Sequence, residues 1–130
     1  MTNKSKKILS EISPGELLDK MTILEIKLNK IKDKEKLLEI NKEYESLKET
    51  KKTDIKLTKN LESLIMELKE TNLKLWDIED KIRICEKNKD FGISFINLAR
   101  GVYLNNDKRA KIKLKINQEL GSNIKEVKQY

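Results

Sequence analysis

The chain has no histidine, one cysteine, one proline and four glycines, and aromatic residues make up only 5% of its 130 positions. Each scarcity excludes something. Without histidine, the commonest general base and the commonest metal ligand are missing. The lone Cys85 rules out a disulfide framework and a thiolate metal cluster. It also lacks any imidazole to activate it as a nucleophile. Few aromatics leave no stacking platform for single-stranded nucleic acid. Pro14 stands alone as a helix breaker, so long helices can run uninterrupted. No stretch approaches the ~20 apolar residues of a membrane span. The opening MTNKSKKILSEIS has lysines but no apolar core of signal-peptide length. These absences lead us to expect a cytoplasmic protein that does not engage a membrane.

What is present is charge: 39% of residues are Asp, Glu, Lys or Arg, against 37% hydrophobic, with a net charge of +7. The excess is uneven, since residues 71–130 alone carry a net +5. A basic half of this kind draws anionic partners.

The hydrophobic pattern is helical throughout and predicts an all-α chain. In ISPGELLDKMTILEIKLNKI, Ser13 is placed to N-cap the first helix, and Pro14 fits its first position. Glu16 would complete a capping box. The apolar seam is Leu17, Met21, Leu24, Leu28 and Ile31, in the alternating steps of a helix packed on helices. Asp33 caps a second helix with seam Leu37, Ile40, Tyr44 and Leu47. Thr53 or Asp54 starts a long third helix, whose seam runs Leu57, Leu61, Leu64, Leu68, Thr71, Leu75, Ile78, Ile82 and Cys85. Gly92 then supplies a turn with positive φ. A fourth helix turns Phe95, Leu98, Ala99 and Val102 inward. Asn106 or Asp107 caps a fifth, with Ala110, Leu114, Ile116 and Leu120 inward, ending at Gly121. The second helix is about half the length of the third. It is expected to lie on that helix's first half as a coiled-coil-like hairpin arm, residues 33–70. The head is then a bundle of about four helices, residues 12–32 and 71–121. Residues 1–11 are expected to be flexible, and 12–130 to form one domain.

One residue along from the third seam, the edge reads Ile65, Asn72, Trp76, Glu79, Arg83 and Glu86. An exposed edge like this is an ordinary ladder of salt bridges, each weak. The single tryptophan argues for partial burial, and half-buried charges then need partners. The fourth helix offers Arg100, Tyr103 and Asp107 on a matching edge, with Arg100 expected near Glu79 or Glu86. Arg83, Arg100, Arg109 and Lys113, joined by Tyr103, Asn106 and Asn117, are candidates to gather around a carboxylate or phosphate, because guanidinium forks bind oxygens in pairs. Such a pocket suits a binding module, or a metal-independent enzyme acting on a carboxylated or phosphorylated metabolite. The acidic pairs Glu67/Glu70 and Asp77/Asp80 lie several turns apart on one helix and cannot converge on a metal, so neither metal nor other cofactor is expected. Lys108, Lys111 and Lys115 line one face of the last helix. Without a reading motif, that face argues for a solvated surface over nucleic-acid binding. The strict seam of the arm leaves a homodimer open.

The segments SPGELLDKMTILEIK, LWDIEDKIR, FGISFINLARGVY, NNDKRAKIKLKIN and GSNIKEVKQY together resemble a family of small bacterial helical proteins of unknown function. The resemblance covers about residues 12–130, more loosely over 45–70. Its matched positions include Ser13, Gly15, Glu16, Asp19 and Thr22. Later ones are Trp76, Glu79, Arg83, Glu86, Arg100, Tyr103, Asn106, Asp107, Arg109, Asn117, Glu126 and Tyr130. Gly101 departs from the pattern, which has a better helix former there. The resemblance implies a free-standing helical domain and brings no reaction, ligand or partner with it. The functional expectation is an accessory binding module that recognises an anionic small molecule or a protein partner through the head.

Overall fold

The computed structural model describes residues 6–130. The protein is an all-α helical bundle of four helices: α1 (Pro14–Lys30), α2 (Lys34–Asp54), α3 (Lys59–Lys87) and α4 (Ile93–Glu119). The expected flexible segment, 1–11, lies partly outside the described residues, and residues 6–13 form no helix.

The helix starts follow local chemistry. Ser13 caps α1, its Oγ accepting from the Glu16 amide at 3.2 Å. Asp33 caps α2 through the amides of Glu35 and Lys36. The third helix starts later than the sequence suggested. Residues 50–54 remain in α2, and Thr58 caps α3 by accepting from the Leu61 amide at 3.1 Å. The C-termini of α3 and α4 both close with the paired backbone bonds of a Schellman turn. At the end of α4, Gly121 holds φ +62°, and the Ser122 amide reaches the Asn117 carbonyl at 2.8 Å. At the end of α3, the Asp90 amide reaches the Cys85 carbonyl at 2.8 Å. The left-handed residue there is Lys89, φ 54°, not the expected Gly92, which caps α4 with φ −77°.

The expected break at Asn106 and Asp107 does not occur, and the fourth and fifth helices are one. Side chains that cap when free are occupied elsewhere. Asn106 accepts from the Arg109 guanidinium, and Asp107 pairs with Lys128 at 3.4 Å. The helix therefore keeps its backbone ladder through this point.

The four helices form two hairpins, α1–α2 and α3–α4, joined through α1, which alone packs on all three others. The expected pairing of the second helix with the first half of the third does not form, and α2 lies along α1 instead. A seam of Leu and Ile shows that a helix packs but not on which neighbour. The core sits where α1 crosses the α3–α4 pair. It is built from Leu17, Leu18 and Met21 of α1, Leu61, Leu64 and Leu68 of α3, and Ile112 and Ile116 of α4. Tyr44 and Leu47 of α2 close it from the side. Beyond Asn72 on α3 and before Ile112 on α4, only Cys85 is fully buried among the described residues. There Leu75, Ile78, Ile82, Phe95, Leu98 and Val102 are half-buried, as in any hairpin whose two helices can cover one stripe of each other. The helices approach closely at Gly101, where a Cβ would stand 3.0 Å from Ile78 Cδ1.

Candidate functional site

On α1, Gly15, Asp19 and Thr22 follow the helical repeat as a polar stripe beside the apolar seam. On α4, Asn106, Arg109, Lys113 and Asn117 form a second stripe. The two stripes face each other at the crossing. Asp19 is 2% exposed, so its carboxylate must find its partners within the protein. Arg109 Nε donates to Asp19 Oδ1 at 2.8 Å, and Arg109 Nη2 donates to Asp19 Oδ2, the paired fork that favours arginine over lysine. Asn72 of α3 donates from Nδ2 to Asp19 Oδ1 at 2.9 Å and to Thr22 Oγ1 at 2.8 Å. Thr22 Oγ1 in turn donates to the Asp19 carbonyl at 2.7 Å. The hydrogen bond to Asp19 raises the Arg109 pKa, against the opposing effect of burial. No buried side-chain polar atom among the described residues lacks a partner. The cluster is a closed network tying α1, α3 and α4 together.

The helix start of α1 presses onto α4. The Gly15 amide donates to Asn117 Oδ1 at 2.7 Å, satisfying a donor that no residue within the helix can reach. A Cβ on Gly15 would lie 2.7 Å from the Lys113 carbonyl and 2.8 Å from Asn117 Oδ1. Only glycine allows this approach.

Next to this contact lies a cleft of about 390 Å³ between the second half of α4 and the C-terminal segment. Lys113 and Asn117 border it from the core side, Ala110 and Leu114 give it apolar wall, and Lys128 and Tyr130 of the C-terminal segment line it opposite. The Lys113 side chain is 10% exposed and pairs with two carboxylates, Glu16 of α1 and Glu126 of the C-terminal segment, the latter at 3.3 Å. Burial pulls the Lys113 pKa down. The hydrogen bond to Glu16 and the charges of Asp19, Glu16 and Glu126 outweigh it and leave the pKa raised. The ammonium therefore stays charged and is a poor general base. Glu16 is thus drawn away from the second bond of the expected capping box and spends its charge on Lys113.

The C-terminal segment is held loosely. Its polar contacts to the helices and the N-terminal segment are Glu126 to Lys113, Lys128 to Asp107 at 3.4 Å, and Asn123 to Glu11 at 3.1 Å. The Lys128–Asp107 pair is solvent-exposed, and pairs of that kind contribute only ~0–1 kcal/mol. Val127 and Tyr130 are more than nine-tenths exposed, so Ile124, at 39% exposed, supplies most of the segment's apolar burial.

Of the residues singled out from the sequence, the structure brings together Asn106, Asp107, Arg109 and Asn117, with Lys113, at the crossing and the cleft. Trp76, Glu79, Arg83, Glu86 and Arg100 lie farther out on the α3–α4 hairpin; Tyr103, one turn before Asn106 and Asp107 on α4, is exposed and does not line the cleft. Trp76 is half-buried, but Glu79, Arg83, Glu86 and Arg100 are exposed. Arg83 pairs only with Glu79, at 3.7 Å, and Arg100 makes no ion pair among the described residues. The edge is a solvated ladder. Sequence reasoning did not propose Asp19, Asn72, Glu16, Glu126 or Lys128 as site residues. The regular spacing of Gly15, Asp19 and Thr22 beside the seam was the available signal. No group of three or more His, Cys, Asp or Glu among the described residues is arranged to hold a metal. No described helix is long and apolar enough to cross a membrane.

A family model matches residues 8–130, and the chain belongs to that family, DUF6165, a family of unknown function. No curated protein and no solved structure matches it.

Proposed function

We propose that the protein is a binding module that takes a small anionic molecule into the cleft between α4 and the C-terminal segment. One observation carries this reading: a nearly buried, charged Lys113 borders an open cleft with apolar walls. Burying an ammonium is costly, and here its second carboxylate comes from a weakly held segment. A ligand carboxylate or phosphate can therefore pair with it, while Ala110 and Leu114 receive an apolar or aromatic body. Arg109, already forked onto Asp19, serves as a structural support for the site. With a raised pKa on Lys113 and no histidine, the cleft suits binding better than acid–base turnover. We read the protein as cytoplasmic, since its one cysteine is unpaired and buried.

Phenyl phosphate, an anion with an aromatic body, is a suitable probe. At a hundredfold excess over its Kd, binding to the native state alone adds ~2.7 kcal/mol of stability, which raises the melting temperature. Lys113→Met should abolish that rise while the fold persists. If panels of phosphorylated and carboxylated compounds leave the melting temperature unmoved, or if Lys113→Met responds as the wild type does, the cleft is not an anion site.

A further inference from the structure

We propose that the C-terminal segment is a tethered occupant of the cleft: Glu126 holds the position that a ligand's anionic group takes, and binding releases the segment. This deepens the reading above and rests on it.

Lys113 is paired from two directions that differ in kind. Glu16 belongs to the first turn of α1, fixed by the Ser13 cap and by the contact of Gly15 with Asn117. Glu126 belongs to an irregular segment that begins right after the Schellman turn at Gly121. The first carboxylate is part of the frame and the second is exchangeable. Lys128 reaches back to Asp107 at 3.4 Å and Lys113 reaches Glu126 at 3.3 Å. The segment is thus clasped across the cleft at two points, with Tyr130 at its mouth.

Charge decides what replaces it. The cleft is lined by Lys111, Lys113 and Lys128 against Glu16, Asp107 and Glu126, so it is formally neutral when closed. Releasing the segment withdraws Glu126 and Lys128 together, so the cleft stays formally neutral while the nearly buried Lys113 ammonium loses one of its two carboxylates. A ligand restores that partner by bringing an anionic group to the same place. The class implied is a carboxylate or phosphate monoester attached to an apolar or aromatic body, as the walls formed by Ala110 and Leu114 require. Because the closed form must open first, the apparent affinity is lowered by the fraction of molecules that are open.

The test compares phenyl phosphate binding to the full chain and to Glu126→Gln, followed by NMR at the amides of residues 110–117 and by backbone relaxation of residues 122–130. Glu126→Gln should bind about tenfold more tightly, the gain expected if the open form is roughly a tenth of the population. Phenyl phosphate should also turn residues 122–130 of the wild type mobile. Glu16→Gln removes an equal charge from the same ammonium without untethering the segment. If it tightens binding as much as Glu126→Gln, the effect is charge alone and the tethered-occupant proposal fails. It fails equally if Glu126→Gln binds no better than wild type, or if the segment stays ordered in the complex; in both cases the cleft remains an anion site. Absence of binding in every one of these proteins removes the site itself. Tight binding by Glu126→Gln where wild type shows none supports the proposal in its strongest form.

Discussion

The α1 crossing and the α3–α4 hairpin beyond it share two helices and a similar supply of charged residues, yet they use charge in opposite ways. At the crossing, three helices meet, and Asp19, Asn72 and Lys113 are buried and each satisfied by a partner on another helix. Along the hairpin, two helices meet, and the Glu79–Arg83 pair stands in solvent within a single helix. One neighbour removes water from one stripe of a helix. A second is needed to desolvate the stripe beside it, and only there does a charge acquire a defined environment. Ligand chemistry is therefore to be sought where α1 covers the pair and not along its free edge.

The sharpest way to break the comparison is to remove the carboxylate at its centre. Asp19→Ala leaves a guanidinium and an amide without their acceptor. It should cost about 3 kcal/mol, the low end for a broken buried pair, because Arg109 keeps some access to water. Urea denaturation measures this, and a loss below about 1 kcal/mol would place the Asp19 network with surface pairs. Gly15→Ala comes next. Its Cβ meets backbone that cannot move aside, and overpacking of this kind costs about 1–3 kcal/mol. The hairpin turn offers a change of opposite sign. Lys89 holds a left-handed conformation that costs a residue with a Cβ roughly 1–2 kcal/mol, so Lys89→Gly should stabilise by up to ~1 kcal/mol, read as a higher urea midpoint. The smallest effect is predicted at the edge that first drew notice in the sequence. Glu79→Ala and Arg83→Ala should each change stability by no more than ~0.5 kcal/mol.

A pH experiment sharpens the same contrast at the α1–α2 contact. Burial, then a hydrogen bond to Glu25, pushes the Tyr44 pKa up to about 12. Glu25 is itself held by Lys69 at 2.9 Å, so it links α2 and α3 through α1. The native state favours the protonated phenol, so Tyr44 contributes stability below its unfolded pKa of 10. That contribution is lost as pH rises from 10 towards 12. Ultraviolet titration should show a tyrosinate component near 12 that disappears in Tyr44→Phe.

Much of this architecture was legible in the sequence. Ser13, Pro14 and Asp33 act as they should at helix starts, and the third seam is buried from Leu61 to Thr71. What was not legible depends on neighbours. Leu18 and Ile26 lie off the seam of α1 yet are buried, because α1 has three partners and buries more than one stripe. Asn106 and Asp107 looked like a helix start, since the sequence does not show that Arg109 one turn on and Lys128 in the distant C-terminal segment engage their side chains. The pairing of α2 was misread because apolar periodicity carries no address. At the site, Arg109, Asn106 and Asn117 were legible as candidates, while Asp19 showed only as a position matched by the resemblance and Asn72 only as a member of the hairpin edge. A single carboxylate in a chain that is 39% charged gains meaning only once burial is known. Trp76 misled for the converse reason: a half-buried ring does not desolvate the charges one turn away.

The most direct test of where this protein binds is the ¹H–¹⁵N spectrum of the wild type during a titration with phenyl phosphate. Trp76 is the only tryptophan, so its indole N–H reports on the hairpin edge alone. The expected result is a set of shifts at the residues that line or clasp the cleft, Glu16, 107–117 and 122–130, with the indole signal unmoved. Movement of the indole signal while the α4 amides around Lys113 stay fixed would contradict it and return the site to the hairpin.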